Sequence, residues 1–116
     1  MEKEIIYLGL EYLFGPLQKF VETENGELIT GIDLIDKDKF VQKLDKDINE
    51  LWCSLWSNDP NSPSGMSFDK NREKEIAPQL LKMMDKLIDR LNVINDGSYD
   101  IEDMITDYLK SLTKNN

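Results

Sequence analysis

The chain has 116 residues, of which 23 are acidic and 14 are basic, and it lacks histidine, so its net charge is −9. A protein this acidic repels nucleic acids and the anionic inner face of membranes, which excludes direct binding to either, and it attracts basic proteins. The apolar content of 40% fits one folded domain over residues 1–116. We expect a cytoplasmic location, because the sequence has no recognisable secretory signal, no membrane-spanning run and no second cysteine.

Two patterns succeed each other in the first third of the chain. Apolar residues at positions 6, 10, 13 and 17 have helical spacing, which Gly15-Pro16 interrupts, so we predict a helix over residues 2–14. Two runs with the composition of strands then flank Asn25-Gly26, a dipeptide typical of hairpin turns. We therefore predict a β-hairpin near residues 18–33, packed on a helix because an isolated hairpin is only marginally stable.

The clearest helical pattern extends from Asp36 to Trp56. Asp36 or Asp38 is suited to cap its first turn, and Pro60 ends it because the residue before a proline disfavours helical geometry. The apolar residues of this segment follow one face of an α-helix. They are Phe40, Val41, Leu44, Ile48, Leu51, Trp52, Leu55 and Trp56.

A polar segment and a second long helix follow. Residues 57–68 contain two prolines, one glycine and several short polar side chains, so we predict a loop that is either functional or mobile. An apolar stripe from Ile76 to Ile94 predicts a helix within residues 69–95. Because Pro78 fits a first helical turn, we expect a firm helix from about Ile76 and either a turn or a bent extension before it.

A last helix is predicted from Ser98 or Asp100 to about Thr113. The short connection at Gly97 makes it antiparallel to the preceding helix. The predicted fold class is therefore mainly α: a small domain of about four helices with a hairpin near residues 18–33. An α+β arrangement is the alternative.

The last helix carries an acidic pattern of its own. Asp100, Asp103 and Asp107 are spaced as one helical stripe, and Tyr99 and Tyr108 flank it. One interpretation is a solvated helix start, where carboxylates favour the positive end of the helix dipole. The other is a docking stripe for a basic partner, with both tyrosines as further contacts.

Catalytic and metal motifs are lacking. Without histidine and with only Cys53, the sequence offers neither a zinc site nor a histidine-activated nucleophile, and its glycines match no nucleotide-binding loop. We therefore expect no enzyme activity, no cofactor and no metal. A small enzyme that uses a pair of carboxylates stays open as a third reading.

Trp52 and Trp56 lie four residues apart on one predicted helix face. We predict that both build the core. The alternative is an exposed aromatic anchor for a partner, because tryptophan and tyrosine are common at binding hot spots.

Size and charge together resemble those of immunity proteins and antitoxins that neutralise bacterial nuclease toxins. We therefore predict a small acidic inhibitor that occludes the active or nucleic-acid-binding site of a basic toxin, with carboxylates in place of phosphates. The alternative is a helical structural or adaptor module that self-associates. The predicted partner-binding residues are Glu22, Glu24, Glu27, Asp33, Asp36, Tyr99, Asp100, Asp103, Asp107 and Tyr108.

Overall fold

The computed structural model of the chain describes residues 3–10 and 15–113. In this part of the chain helices account for 49% of residues and strands for 20%, so the fold is α+β and the prediction of a mainly α domain is wrong. The helices are α1 (Asp33–Asp36), α2 (Lys39–Cys53), α3 (Lys70–Ile94) and α4 (Thr106–Thr113). The strands are β1 (Glu4–Leu8), β2 (Val21–Glu22), β3 (Leu28–Ile29), β4 (Trp56–Asn58), β5 (Met66–Phe68) and β6 (Tyr99–Asp103).

β1 and β6 pair in parallel, with Glu4 opposite Tyr99. On its other side, β1 is bridged antiparallel to residues 16–18, where Gln18 donates its backbone N–H to the Tyr7 carbonyl oxygen at 2.7 Å. β1 therefore lies between an early segment of the chain and a late one.

The helix predicted over residues 2–14 is wrong, because residues 4–8 form β1; residues 11–14 lie outside the described part of the chain. Ile6 and Leu8 are fully buried, whereas Ile5 and Tyr7 are exposed, which is the alternation of a strand. β-branched and aromatic side chains favour this conformation, and the pairing with β6 stabilises it.

The last predicted helix begins too early. Residues 99–103 form β6, and α4 starts only at Thr106. Tyr99 is fully buried, and its hydroxyl donates to the carbonyl oxygen of Leu91 in the last turn of α3. The side-chain amide of Asn95 donates to the Tyr99 carbonyl oxygen at 2.9 Å. These contacts anchor the start of β6 against the end of α3.

Two antiparallel hairpins complete the strands. β2 and β3 pair across a turn that contains Gly26 at φ 83°, a backbone conformation that favours glycine, so the hairpin predicted near residues 18–33 is confirmed. β4 and β5 also pair, with Trp56 opposite Phe68. The loop predicted for residues 57–68 is therefore wrong at both of its ends, since only the residues between β4 and β5 form the turn.

The two long helices are confirmed, but α2 ends at Cys53, so the prediction that Trp56 shares a helix face with Trp52 is wrong, because Trp56 begins β4. Asp38 caps α2 by accepting the Val41 N–H at 2.9 Å, and Asp69 caps α3 in the same way. α3 begins at Lys70 and includes Pro78, so the residues before Ile76 belong to the same helix. No helix within residues 3–10 and 15–113 has both the length and the apolar character needed to cross a bilayer. The buried apolar residues of α2 and α3 are Val41, Ile48, Trp52, Ile76, Ala77, Leu80, Met84, Leu87 and Leu91.

An ion pair ties the start of α2 to α3. The Arg90 guanidinium donates to the Asp38 carboxylate, at 2.7 Å from Nη2 and at 3.1 and 3.2 Å from Nε. Hydrogen bonding from Arg90 holds the pKa of Asp38 below its ordinary value of 3.8. A lowered carboxyl pKa adds stability above the unfolded pKa, and this stability is lost as the pH falls through the folded pKa.

Substitutions at Asp38 separate its cap from its ion pair. Asp38→Asn keeps an oxygen for the cap but loses the charge, which should lower the free energy of unfolding at neutral pH by about 1 kcal/mol. Asp38→Ala should cost about 1 kcal/mol more, because the cap is lost as well. Urea unfolding measures both effects. The Asp38→Asn deficit should shrink as the pH falls below about 4, and a deficit that does not change with pH contradicts this account.

Candidate functional site

An open cavity of about 320 Å³ lies where the residues after β1 and β6 meet the end of α2 and the start of α3. Its volume is at the lower end for ligand-binding pockets. Its walls are mainly aromatic and aliphatic, with one carboxylate. The lining residues are Leu10, Trp52, Trp56, Phe68, Glu73, Ile105 and Tyr108.

The aromatic wall of this cavity combines two elements. The Phe68 ring centroid lies 4.8 Å from that of Trp56 and 5.8 Å from that of Trp52, and the rings are tilted against each other. Pairing of β4 with β5 places Phe68 opposite Trp56, and Trp52 lies in the last turn of α2. Trp52 belongs to the core and Trp56 packs against it, as predicted, and both rings also line the cavity.

Glu73 supplies the carboxylate of the cavity, in the first turn of α3, and is only 5% exposed. Tyr108 donates its hydroxyl to Glu73 Oε2 at 2.7 Å, and this hydrogen bond, together with burial, raises the pKa of Tyr108 to about 12. Among the described residues, no lysine or arginine forms an ion pair with Glu73. The neighbouring Arg72 donates instead to Ser54 Oγ at 3.3 Å. Within the part of the chain that the structure describes, Glu73 is therefore a buried acid that no cation pairs with.

Three of the predicted partner-binding residues lie on the β2–β3 hairpin. Glu22, Glu24 and Glu27 are exposed on β2, the turn and the segment before β3, and no ion pair within the described chain involves them. Val21 and Leu28 are 43% and 54% exposed on the same hairpin. Acidic and apolar side chains are thus available together on this element.

The two predicted acids after the hairpin have different environments. Asp33 is exposed and lies 3.6 Å from Lys37 in an ion pair. Asp36 accepts hydrogen bonds from the backbone N–H of Thr30 at 2.9 Å, from its hydroxyl at 2.7 Å and from the Gly31 N–H at 3.0 Å. Both Asp36 oxygens are therefore engaged in fixing the turn before α1, and this residue is better described as structural than as a partner contact.

The predicted helical stripe of acids is wrong, because its members lie on different elements. Asp100 is exposed on β6, with its carboxylate 3.5 Å from Lys3 Nζ. Asp103 ends β6 and accepts hydrogen bonds from the hydroxyl and the N–H of Thr106, so it holds the start of α4. Asp107 is exposed in the first turn of α4.

The two tyrosines predicted as flanking contacts also separate. Tyr99, the first residue of β6, is fully buried and its hydroxyl contacts α3, so its ring cannot meet a partner. Tyr108 is 45% exposed and lines the cavity.

Sequence reasoning missed the outer face of the β1–β6 pair. Ile5 lies opposite Asp100 and Tyr7 opposite Glu102, and all four side chains are exposed. We call these four residues the outer sheet face. The β-branched and aromatic residues of the segment Glu4–Leu8 are the strand signal that was open to sequence analysis, but the helical spacing of the apolar residues obscured it.

Comparisons of the chain with protein-family models, with curated proteins and with solved structures give no match. Among the described residues, no group of three or more cysteine, aspartate or glutamate side chains is arranged to hold a metal ion.

Tyr108→Phe tests the bond to the buried carboxylate. The substitution keeps the ring but leaves Glu73 without its hydroxyl donor, so the free energy of unfolding should fall by about 1–3 kcal/mol in urea experiments. Tyr7→Phe, which removes an exposed hydroxyl, is the matched control and should change it by less than about 0.5 kcal/mol. Equal effects of the two substitutions contradict the assignment.

Proposed function

We propose that this protein is a stoichiometric inhibitor of a basic protein. It would act as immunity proteins and antitoxins do when they bind and neutralise nuclease toxins. It covers the nucleic-acid-binding cleft of the toxin, where its carboxylates take the place of substrate phosphates. The net charge of −9 supports this proposal, because long-range attraction accelerates the encounter with a cationic surface.

The outer sheet face is the observation that carries the proposal. It sets the exposed carboxylates of Asp100 and Glu102 directly beside the exposed side chains of Ile5 and Tyr7. Binding hot spots combine an aromatic or aliphatic anchor with charges that select the partner. Tyr7 and Ile5 supply the apolar contact here, and the two acids select a basic surface.

The acidic hairpin adds a second region with the same character. Glu22, Glu24 and Glu27 have no internal cation among the described residues, so their charges are available to a partner. We do not propose self-association through the outer sheet face, because two copies joined there bring like charges together.

Inhibition of a nuclease is the direct test of this function. A nuclease domain encoded next to this gene, when purified and mixed with the protein, should lose activity in proportion to the protein added until one copy is bound per nuclease. Co-expression should also restore growth to cells that produce the nuclease. An unaffected nuclease, or the absence of a nuclease gene beside this one, contradicts the proposal.

Charge reversal on the outer sheet face should weaken the complex. We expect Asp100→Lys combined with Glu102→Lys to slow association and to flatten its dependence on salt, because steering depends on these charges. Stopped-flow association rates at low and high ionic strength measure the effect. Asp85→Lys with Asp89→Lys, two exposed positions on α3, is the control with the same change in net charge. Identical behaviour of the two double variants counts against the outer sheet face as the interface.

A further inference from the structure

We infer that the cavity lined by Trp52, Trp56, Phe68 and Glu73 is a binding site for an arginine side chain of the basic partner. The identity of the partner rests on the proposed function. The chemistry of the cavity does not depend on the proposed function. It assigns a second, more specific contact in addition to the outer sheet face.

The buried carboxylate is the first reason. A carboxylate loses favourable hydration when it is buried, and buried acids are normally compensated by a cation. Glu73 is 5% exposed, and its only hydrogen-bond donor within the described chain is the Tyr108 hydroxyl on Oε2. Oε1 accepts no hydrogen bond from the described residues, so a positive charge that enters the cavity finds an unused acceptor.

The aromatic wall is the second reason. The faces of tryptophan, tyrosine and phenylalanine rings carry partial negative charge and attract cations, tryptophan most strongly. Two tryptophan rings and the Phe68 ring, with centroids 4.8 and 5.8 Å apart, line the same space as Glu73. An aromatic wall and a carboxylate around one cavity favour a cation that has an extended, flat surface.

Arginine meets these conditions better than lysine. Its planar guanidinium stacks on aromatic rings and is less strongly hydrated than an ammonium group, and it donates hydrogen bonds in a fork that suits a carboxylate. A cavity of about 320 Å³ accommodates one side chain, whereas most ligand pockets are larger. Arginine is also enriched at binding hot spots and at surfaces that recognise phosphate. The cleft of a nuclease is such a surface.

The two tryptophans of the chain both line this cavity, so intrinsic fluorescence reports on its occupation. The probe is a capped tripeptide with a central arginine. The matched control is the same tripeptide with citrulline in place of arginine, because citrulline keeps the shape of the side chain but carries no charge. We expect a saturable fluorescence change with a dissociation constant on the order of millimolar for the arginine peptide, and binding about tenfold weaker for citrulline.

Glu73→Gln should abolish the preference for arginine over citrulline, because the amide keeps an oxygen for Tyr108 but removes the charge. Glu75→Gln, an exposed position in the same helix turn, is the control and should retain the preference. If Glu73→Gln does not fold, Phe68→Leu replaces it and should weaken arginine binding by removing one ring. Equal binding of the two peptides, no saturable change, or a preference that persists in Glu73→Gln overturns the inference.

The same variants separate this inference from the proposed function. If Glu73→Gln inhibits the nuclease as well as the wild type does, while reversal of Asp100 and Glu102 abolishes inhibition, the partner's arginine does not use the cavity and the proposed function stands. If the arginine peptide binds but no nuclease is inhibited, the proposed function is wrong and the arginine site stands.

Discussion

The parallel pairing of β1 with β6 is the interaction on which the rest of the structure depends. It joins segments about 95 residues apart in the sequence and buries Ile6, Leu8 and Tyr99 in the core. Because both strands run in the same direction, Leu10 and Ile105, which follow them, line one cavity. The hydroxyl of Tyr99 bonded to Leu91 anchors β6 to α3, so α4 begins at a position from which Tyr108 reaches Glu73.

Two groups of acidic residues in the chain have different physical roles. Asp36, Asp38 and Asp103 accept hydrogen bonds from backbone N–H groups and hold a turn or a helix start, so their charges are partly neutralised within the fold. The exposed acids of the hairpin and of the outer sheet face have no such role within residues 3–10 and 15–113, apart from the exposed contact between Asp100 and Lys3. The total net charge therefore overstates what a partner can meet.

Local signals were sufficient for some elements and not for others. α2 and α3 are long, amphipathic and capped by aspartates, and the β2–β3 hairpin has a glycine turn, so neighbouring residues determine them. β1 and β6 contain only five residues each, and they depend on a partner far away in the sequence. Separation in the sequence also explains why the cavity was only partly predicted. Tyr108 was predicted as a contact, but Glu73 resembles any other helix acid until α4 packs beside it.

The order in which the strands are made has a consequence for synthesis. A ribosome releases β1 long before β6, so in a growing chain the edge of β1 that faces β6 stays unpaired until residues 99–103 have emerged. An unpaired edge bearing Ile5, Ile6 and Tyr7 is prone to pair with other chains. The nascent protein is therefore most vulnerable to aggregation in the interval before β6 is made, and the pairing of β1 with β6 ends that exposure.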